Sequence, residues 1–441
     1  MFPLSSLGLF LDLYELTMAQ VYFEKDLFGK ATFSLSIRTR PKNRPFFLFA
    51  GLEPFLKLLK HFKFEDEDLD FLESLKIFKK PFLDYLKNFS FKGTIRAIPE
   101  GTIFFEEEPV CEVESDLISA QIIETLIINT LHIETLIATK ALLCVIAAKG
   151  IPLFDFSARR THGISSSLHV ARASYVAGFS GTSNVLAGKL WNIPVVGTMA
   201  HSFVEVFPSE EKAFKAFSQT YPDRAILLID TYDTIKASQK IVALKDFFKK
   251  NKISIKGVRI DSGDLAELSK RVRKILNNGS FKDTQIFLSG SLDEKEIKNL
   301  LKKKTPVSGF GVGTKMGVSE DSPYFEMGYK LVEYEDKPCF KLSPKKEILP
   351  GAKDFYRVWD KDDKFLFDLI TLKGEPVDLS SYPKSQKLLN PVYQDGKILY
   401  HESLEVIRAR VKKEVERDYK KRIKISQKIR NLFKQLKKNF T

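Results

Sequence analysis

From residue 151 onward the apolar residues fall into short runs that alternate with amphipathic stretches. Strand-like runs occur at 151–156, around Phe179, and at 193–196, 225–229, 255–260, 285–288 and 307–312. Helical spacing fills 166–177, 233–248, 265–276 and 293–301 between them. This alternation predicts parallel strands joined by crossover helices. A parallel β/α barrel would gather the C-terminal ends of those strands at one mouth, whereas an open doubly wound sheet, the second choice, would spread them along an edge.

Before that region the pattern differs. Leu13, Leu16, Val21 and Phe23 suit an amphipathic helix, and 31–37 alternates as a strand does. Residues 46–91 read as helical and are rich in Phe and Lys, and 91–113 reads as short strands with turn signals at 99–101 and at Pro109. Residues 116–150 have helical spacing and close at Gly150. From Tyr329 strands and turns return and are expected to rejoin the first part. The resulting domains are an N-terminal α+β domain over 1–115, a catalytic β/α domain over 116–328, a return to the first domain over 329–403, and a basic helix over 404–441.

Composition narrows the class. A chain of 441 residues, 44% hydrophobic and 29% charged, has the make-up of an ordinary globular protein. A net charge of +14 suits nucleic acid, an acidic membrane surface or an anionic small substrate, and does not choose among them. Glu405, Glu414, Glu416 and Asp418 interleave with the tail's Lys and Arg, so the tail reads as a solvated helix rather than a nucleic-acid arm. Cys111, Cys144 and Cys339 have no metal-ligand spacing and cannot pair completely, which points to a reducing cytoplasm. The apolar patch at 7–13 lacks a basic leader and is followed by acids, so no signal peptide is expected. Glu124 and Glu134 break the apolar run 121–137, so no membrane span is expected either.

The strand endings carry the chemistry. They read DFSARR, GTSN, GTMAH, DTYDT, RIDSGD, SGS and GVGTK. Gly309, Gly311, Gly313 and Thr314 suit a backbone nest for phosphate at a helix start. In IDSGDL, Asp261 is a candidate for ribose hydroxyls or Mg2+ on pyrophosphate, and Asp264 equally suits the next helix's N-cap. Asp230 and Asp233 repeat that pairing. Phe156 followed by Arg159 and Arg160 suits a planar ring bearing a carboxylate. His201 follows Gly197 and Thr198, with chemistry or packing both open to it. The basic turn with Arg38, Arg40, Lys42 and Arg44 fits a solvated loop and phosphate contact equally. The set fits phosphoribosyl transfer better than hydrolysis, since it holds no Ser-His-Asp logic and no Walker loop.

Ordered stretches along the chain, DLYELTMAQVYF, GTSNVLAGKLWNIPVVGTMAHSF, IDTYDT, GVRIDSGDL, FGVGTK and YKLVEYEDKPCFKLSPKKEILPGAKDFYR, closely resemble nicotinate phosphoribosyltransferases. The resemblance implies an irregular parallel β/α barrel with a second, open-sandwich α+β domain built from both chain ends. It implies transfer of phosphoribose from 5-phosphoribosyl 1-diphosphate to nicotinate, coupled to ATP hydrolysis through a phosphohistidine at His201, with Mg2+ as cofactor. By the same resemblance Phe156 and a partner subunit's Tyr14 stack on the pyridine and Arg159 holds its carboxylate. Arg38, Arg259, Asp261, Ser289, Gly290, Gly311, Gly313 and Thr314 contact phosphoribose and pyrophosphate. A cytoplasmic homodimer with shared sites, binding neither nucleic acid nor membrane, is expected. The amide-using relative has an acid where this chain has Ser183, and an acid there would repel a carboxylate, so nicotinate is favoured over nicotinamide.

Overall fold

Residues 4–341, 348–417 and 419–438 are described by a computed structural model. The chain forms two units, Lys140–Pro323 and a second one built from the described residues up to Thr139 together with those from Tyr324 on. The division runs through a 25-residue helix, Glu124–Ala148, and not at 115/116. That helix is long and apolar enough to cross a membrane, contrary to the expectation that charge would interrupt it. About two thirds of its most apolar window is nevertheless buried inside the protein, as in a core helix.

The unit made from both chain ends has a seven-stranded antiparallel sheet. Met327–Tyr334, Lys30–Ile37, Cys111–Asp116, Thr94–Ala97 and Asn390–Gln394 lie side by side in it, so the late strands flank the early ones. Ala31, Phe33, Leu35 and Ile37 supply the buried side of the central strand. A second sheet of four strands orders Lys384–Lys387, Lys353–Trp359, Phe365–Leu372 and Ile423–Ile425. The last of these corrects the expected continuous tail helix. The tail is two helices, Leu404–Val415 and Gln427–Lys438, with a short strand between them that pairs parallel to Phe365–Leu372. Alternation in Ile423-Lys424-Ile425 explains it, because period two presents both isoleucines to one side.

The other unit carries six strands, all parallel, in the order Gly181–Thr182, Leu153–Asp155, Gly309–Val312, Gln285–Ser289, Gly257–Ile260, Ile226–Leu228. Every strand neighbours the next in sequence except at one place, and the last, Gly309–Val312, lies beside the first, Leu153–Asp155. The gap falls between Gly181–Thr182 and Ile226–Leu228. There the expected strand at 193–196 is reduced to a single bridge, Val195 to Thr182. Pro194 explains the reduction, since it has no N–H to continue a ladder. The strand expected around Phe179 begins later, at Gly181. Helices occupy the connections, including Val185–Trp191 and Glu210–Thr220, which hydrophobic spacing alone did not single out.

Candidate functional site

The residues that follow the parallel strands make several local groups of short contacts. Asp155, at the end of Leu153–Asp155, is fully buried. It accepts from the Ser157 N–H at 2.9 Å, from the Ser157 hydroxyl, and from the Thr182 hydroxyl at 2.7 Å. Burial pushes its carboxyl up, and those hydroxyls oppose the shift. Asp155 thereby fixes the loop bearing Phe156 and Arg159 to the next strand, whose Ser183 N–H donates to the Asp155 carbonyl at 2.8 Å. Phe156 rests on the neighbouring strand, where a Cβ on Gly311 would meet its ring at 2.5 Å; only glycine admits the ring there. Arg159 is exposed and, among the described residues, has no acid partner.

Arg259, on Gly257–Ile260, reaches the loop before His201. Its Nη1 donates to the Thr198 hydroxyl at 2.6 Å and its Nη2 to the Met199 carbonyl at 3.0 Å. Its Nε is buried and has no partner. Burial lowers the pKa of this guanidinium; the Asp261 and Asp230 carboxylates act against that, and the Arg159 charge adds to it. His201 opens a short helix, His201–Glu205, and its Nδ1 lies 3.1 Å from the Thr231 hydroxyl.

Asp230 follows Ile226–Leu228. Its Oδ2 accepts from the Asp261 N–H at 3.0 Å and the Ser262 hydroxyl at 2.6 Å, while its Oδ1 is buried without a partner. Asp261 in turn accepts from the Ser289 hydroxyl. Gly290 has φ +94°, and a Cβ there would fall 1.9 Å from the Asp261 carbonyl, so the loop after Gln285–Ser289 can approach only as glycine. Gly313 and Thr314 follow Gly309–Val312 at the start of a four-residue helix.

Phe156, Arg159, Ser183, His201, Arg259, Asp261, Ser289, Gly290, Gly311, Gly313 and Thr314 thus all belong to the parallel-sheet unit and sit on or just after its strands or in the loop leading to His201. Tyr14 and Arg38 belong to the other unit, Tyr14 half-exposed on Leu13–Glu24 and Arg38 just after Lys30–Ile37. Asp264 is the N-cap of Leu265–Asn278 and Asp233 that of Thr234–Ala243. Asp293 caps Glu294–Lys302, so that helix's first N–H groups are already taken and do not face a ligand. Sequence reasoning missed Asp155, Thr198 and Thr231, which hold the reactive side chains in place. An Asp closing an apolar run directly before an aromatic was the one available signal, at Asp155.

Among the described residues no group of three or more His, Cys, Asp or Glu side chains forms a metal cluster. Mg2+ commonly takes one or two carboxylates and completes its shell with water and substrate phosphates. Asp230, with one oxygen unpartnered, and the adjoining Asp261 fit that habit.

Family models assign residues 9–132 to the nicotinate phosphoribosyltransferase (NAPRTase) N-terminal domain and residues 151–343 to the nicotinate phosphoribosyltransferase (NAPRTase) family. The chain is 43% identical over 350 residues to "Nicotinate phosphoribosyltransferase pncB2" of Mycobacterium tuberculosis, covering 79% of this chain and 75% of that protein. It is 37% identical over 402 residues to the nicotinate phosphoribosyltransferase of Bacillus subtilis, covering 88% and 80%. The fold superposes on the crystal structure of human nicotinic acid phosphoribosyltransferase with a TM-score of 0.87 at 26% identity, over 96% of this chain and 99% of the human one.

Proposed function

The chain belongs to the nicotinate phosphoribosyltransferase family, and from that membership we infer that it transfers the phosphoribosyl group of 5-phosphoribosyl 1-diphosphate to nicotinate, yielding nicotinate mononucleotide and pyrophosphate in NAD salvage. The observation that supports the residue roles is that Asp155, Arg259, His201, Asp230 and Asp261 each hold a strand-end loop of the same parallel-sheet unit, Asp155 through Thr182, Arg259 through Thr198, His201 through Thr231, and Asp230 through Asp261 to Ser289. The order of the six parallel strands, returning from Gly309–Val312 to Leu153–Asp155, supports an irregular β/α barrel whose mouth holds these residues.

Nicotinate is planar and anionic. Phe156 offers a face to its ring, and Arg159, with no acid partner among the described residues, offers a fork to its carboxylate. As the ribosyl C1 parts from pyrophosphate it gains positive charge, which the Asp261 carboxylate stabilises, while negative charge gathers on the departing pyrophosphate. Arg259 and the backbone N–H groups of Gly290, Gly313 and Thr314 serve the phosphates. Mg2+ held by Asp230 and Asp261 would neutralise the departing pyrophosphate. His201, steadied by Thr231, is the imidazole that ATP phosphorylates; the added negative charge organises the cationic groups around it and so converts ATP hydrolysis into substrate affinity.

The chain acts as a homodimer. Exposed Leu13, Tyr14 and Val21 on one unit and Ile164, Val185 and Val206 on the other support self-association. Three free cysteines support residence in the cytoplasm. The reading is tested by following nicotinate mononucleotide formation with and without ATP, and with nicotinamide in place of nicotinate. Turnover of nicotinamide alone would overturn the substrate, and equal rates and affinities with and without ATP would overturn the coupling.

A further inference from the structure

One lysine of the parallel-sheet unit lies on no strand-end loop and yet joins two of them. Lys140, on Glu124–Ala148, is 1% exposed, and its ammonium lies 2.6 Å from Glu294 and 2.8 Å from Asp321. Burial alone would lower its pKa; the hydrogen bonds to Asp321 and Glu294 outweigh burial and raise it, so the group stays charged.

The two acids come from different segments. Glu294 opens the helix Glu294–Lys302, which follows the strand Gln285–Ser289. Asp321 comes soon after the short helix Thr314–Gly317, which follows Gly309–Val312. A second crossing starts one residue before the first: Asp293 Oδ2 is 3.5 Å from Lys315 Nζ, while its Oδ1 caps Glu294–Lys302. The two strands are themselves paired in register, Ser289 opposite Gly311. Gly290, Gly313 and Thr314 therefore sit on loops tied by the strand ladder on one side and by two ion-paired crossings on the other.

Packing does not call for a charge at this position. A buried ammonium bears a desolvation cost that an apolar side chain avoids, and Leu136, Ala141 and Leu142 on the same helix are apolar and buried. What the ammonium adds is a fixed distance, because it holds both carboxylates at hydrogen-bond range and so sets the separation of the segments that bear them. Charge leads the same way. Asp293, Glu294 and Asp321 face two lysines, and without Lys140 the acids would repel one another and any phosphate drawn to these loops.

We propose that Lys140 is a positioning residue for the phosphoribosyl donor: by tying Glu294 to Asp321 it sets the spacing at which the N–H groups of Gly290, Gly313 and Thr314 meet phosphate. This rests on the phosphate role inferred above for those loops, and adds to it a residue too buried to touch substrate.

The experiment uses the full chain with Lys140→Met, which removes the charge and keeps most of the length. Calorimetric titration with 5-phosphoribosyl 1-diphosphate and Mg2+ is set beside steady-state kinetics with each substrate varied. The Kd and KM of the donor should rise about tenfold or more, and the KM of nicotinate less than about threefold. A lysine that only supports the fold would lower the active fraction, and with it the apparent kcat, and leave both KM values unchanged. That outcome, or equal rises in both, overturns the proposal. Asp321→Asn keeps Lys140 paired with Glu294 and covers the case in which Lys140→Met does not fold; it should weaken the donor about threefold, and unchanged donor affinity there overturns the proposal as well. The two readings fail separately. Tight donor binding by the parent and weak binding by Lys140→Met, with no nicotinate mononucleotide formed by either, would sink the transfer reading and leave the positioning role standing. Transfer by the parent with donor affinity unmoved by both substitutions would do the opposite.

Discussion

Two arginines, one in each unit, show opposite ways of using a guanidinium. Arg357, on Lys353–Trp359, is wholly enclosed and spends all three nitrogens on protein. Nε and Nη2 donate to the two Asp368 oxygens, each at 2.8 Å, and Nη1 donates to Glu414 at 3.1 Å. The rings of Tyr419 and Phe365 cover it at 4.7 and 5.5 Å. Arg259 commits two nitrogens to a loop and leaves a buried Nε without an acceptor, beside an Asp230 that likewise leaves one oxygen unpartnered. A saturated network holds a fold together; a partly filled one has capacity left for a ligand.

The largest effect that tests this contrast is on stability. Arg357→Ala leaves Asp368 buried without its counter-charge and Glu414 with Arg417 alone, and should cost about 3–5 kcal/mol of folding free energy. Urea unfolding measures it, and a loss below about 1 kcal/mol would show that the network is not structural. Arg259→Ala should do the reverse. Its cost to stability should be the smaller of the two, while kcat/KM for nicotinate falls about 10²–10³-fold as the loop before His201 loses its anchor. Equal stability losses in the two variants would erase the distinction drawn between them.

The same contrast explains what could be read from the sequence. Period-two and period-3.6 patterns act locally, so the central strand Lys30–Ile37, the six parallel strands and the capping Asp residues 233 and 264 were legible. His201, Asp261 and Arg159 stood out because their residue types at strand ends are few. Partnerships between distant segments were not legible. Nothing near Arg357 in the sequence points to Glu414, and nothing near His201 points to Thr231. The tail was misread for a related reason. Its charge pattern gave one helix, and the strand Ile423–Ile425 exists only because the edge of Phe365–Leu372 is available to pair with it.

Arg159 sharpens the comparison from the substrate's side, because it is an exposed guanidinium with no acid partner among the described residues. Arg159→Ala should raise the KM for nicotinate about tenfold to a hundredfold, the worth of one charge-assisted pair, with the KM for 5-phosphoribosyl 1-diphosphate little changed. Steady-state kinetics with each substrate varied in turn decide it. Parallel rises in both would remove Arg159 from the pyridine and leave the carboxylate without an assigned partner.

Glu15 is the hardest case, because it is a partly filled group in the unit that also holds Arg357. Its Oε1 accepts from the Thr125 N–H at 3.1 Å and from the Thr125 hydroxyl, while Oε2 is buried without a partner, one residue from Tyr14. Burial pushes its carboxyl from 4.5 up to about 8; the Thr125 hydrogen bonds oppose this, and the Glu124 and Asp12 charges add to it. Between those two values the folded chain holds a proton that the unfolded chain has lost, so the group's stabilising contribution is complete below about 4.5 and drains away as pH rises through 8. Glu15→Gln cannot ionise, and its unfolding free energy should therefore decline less than the parent's between pH 5 and 8.5 in denaturant titrations. If the two slopes coincide, Glu15 is not held protonated.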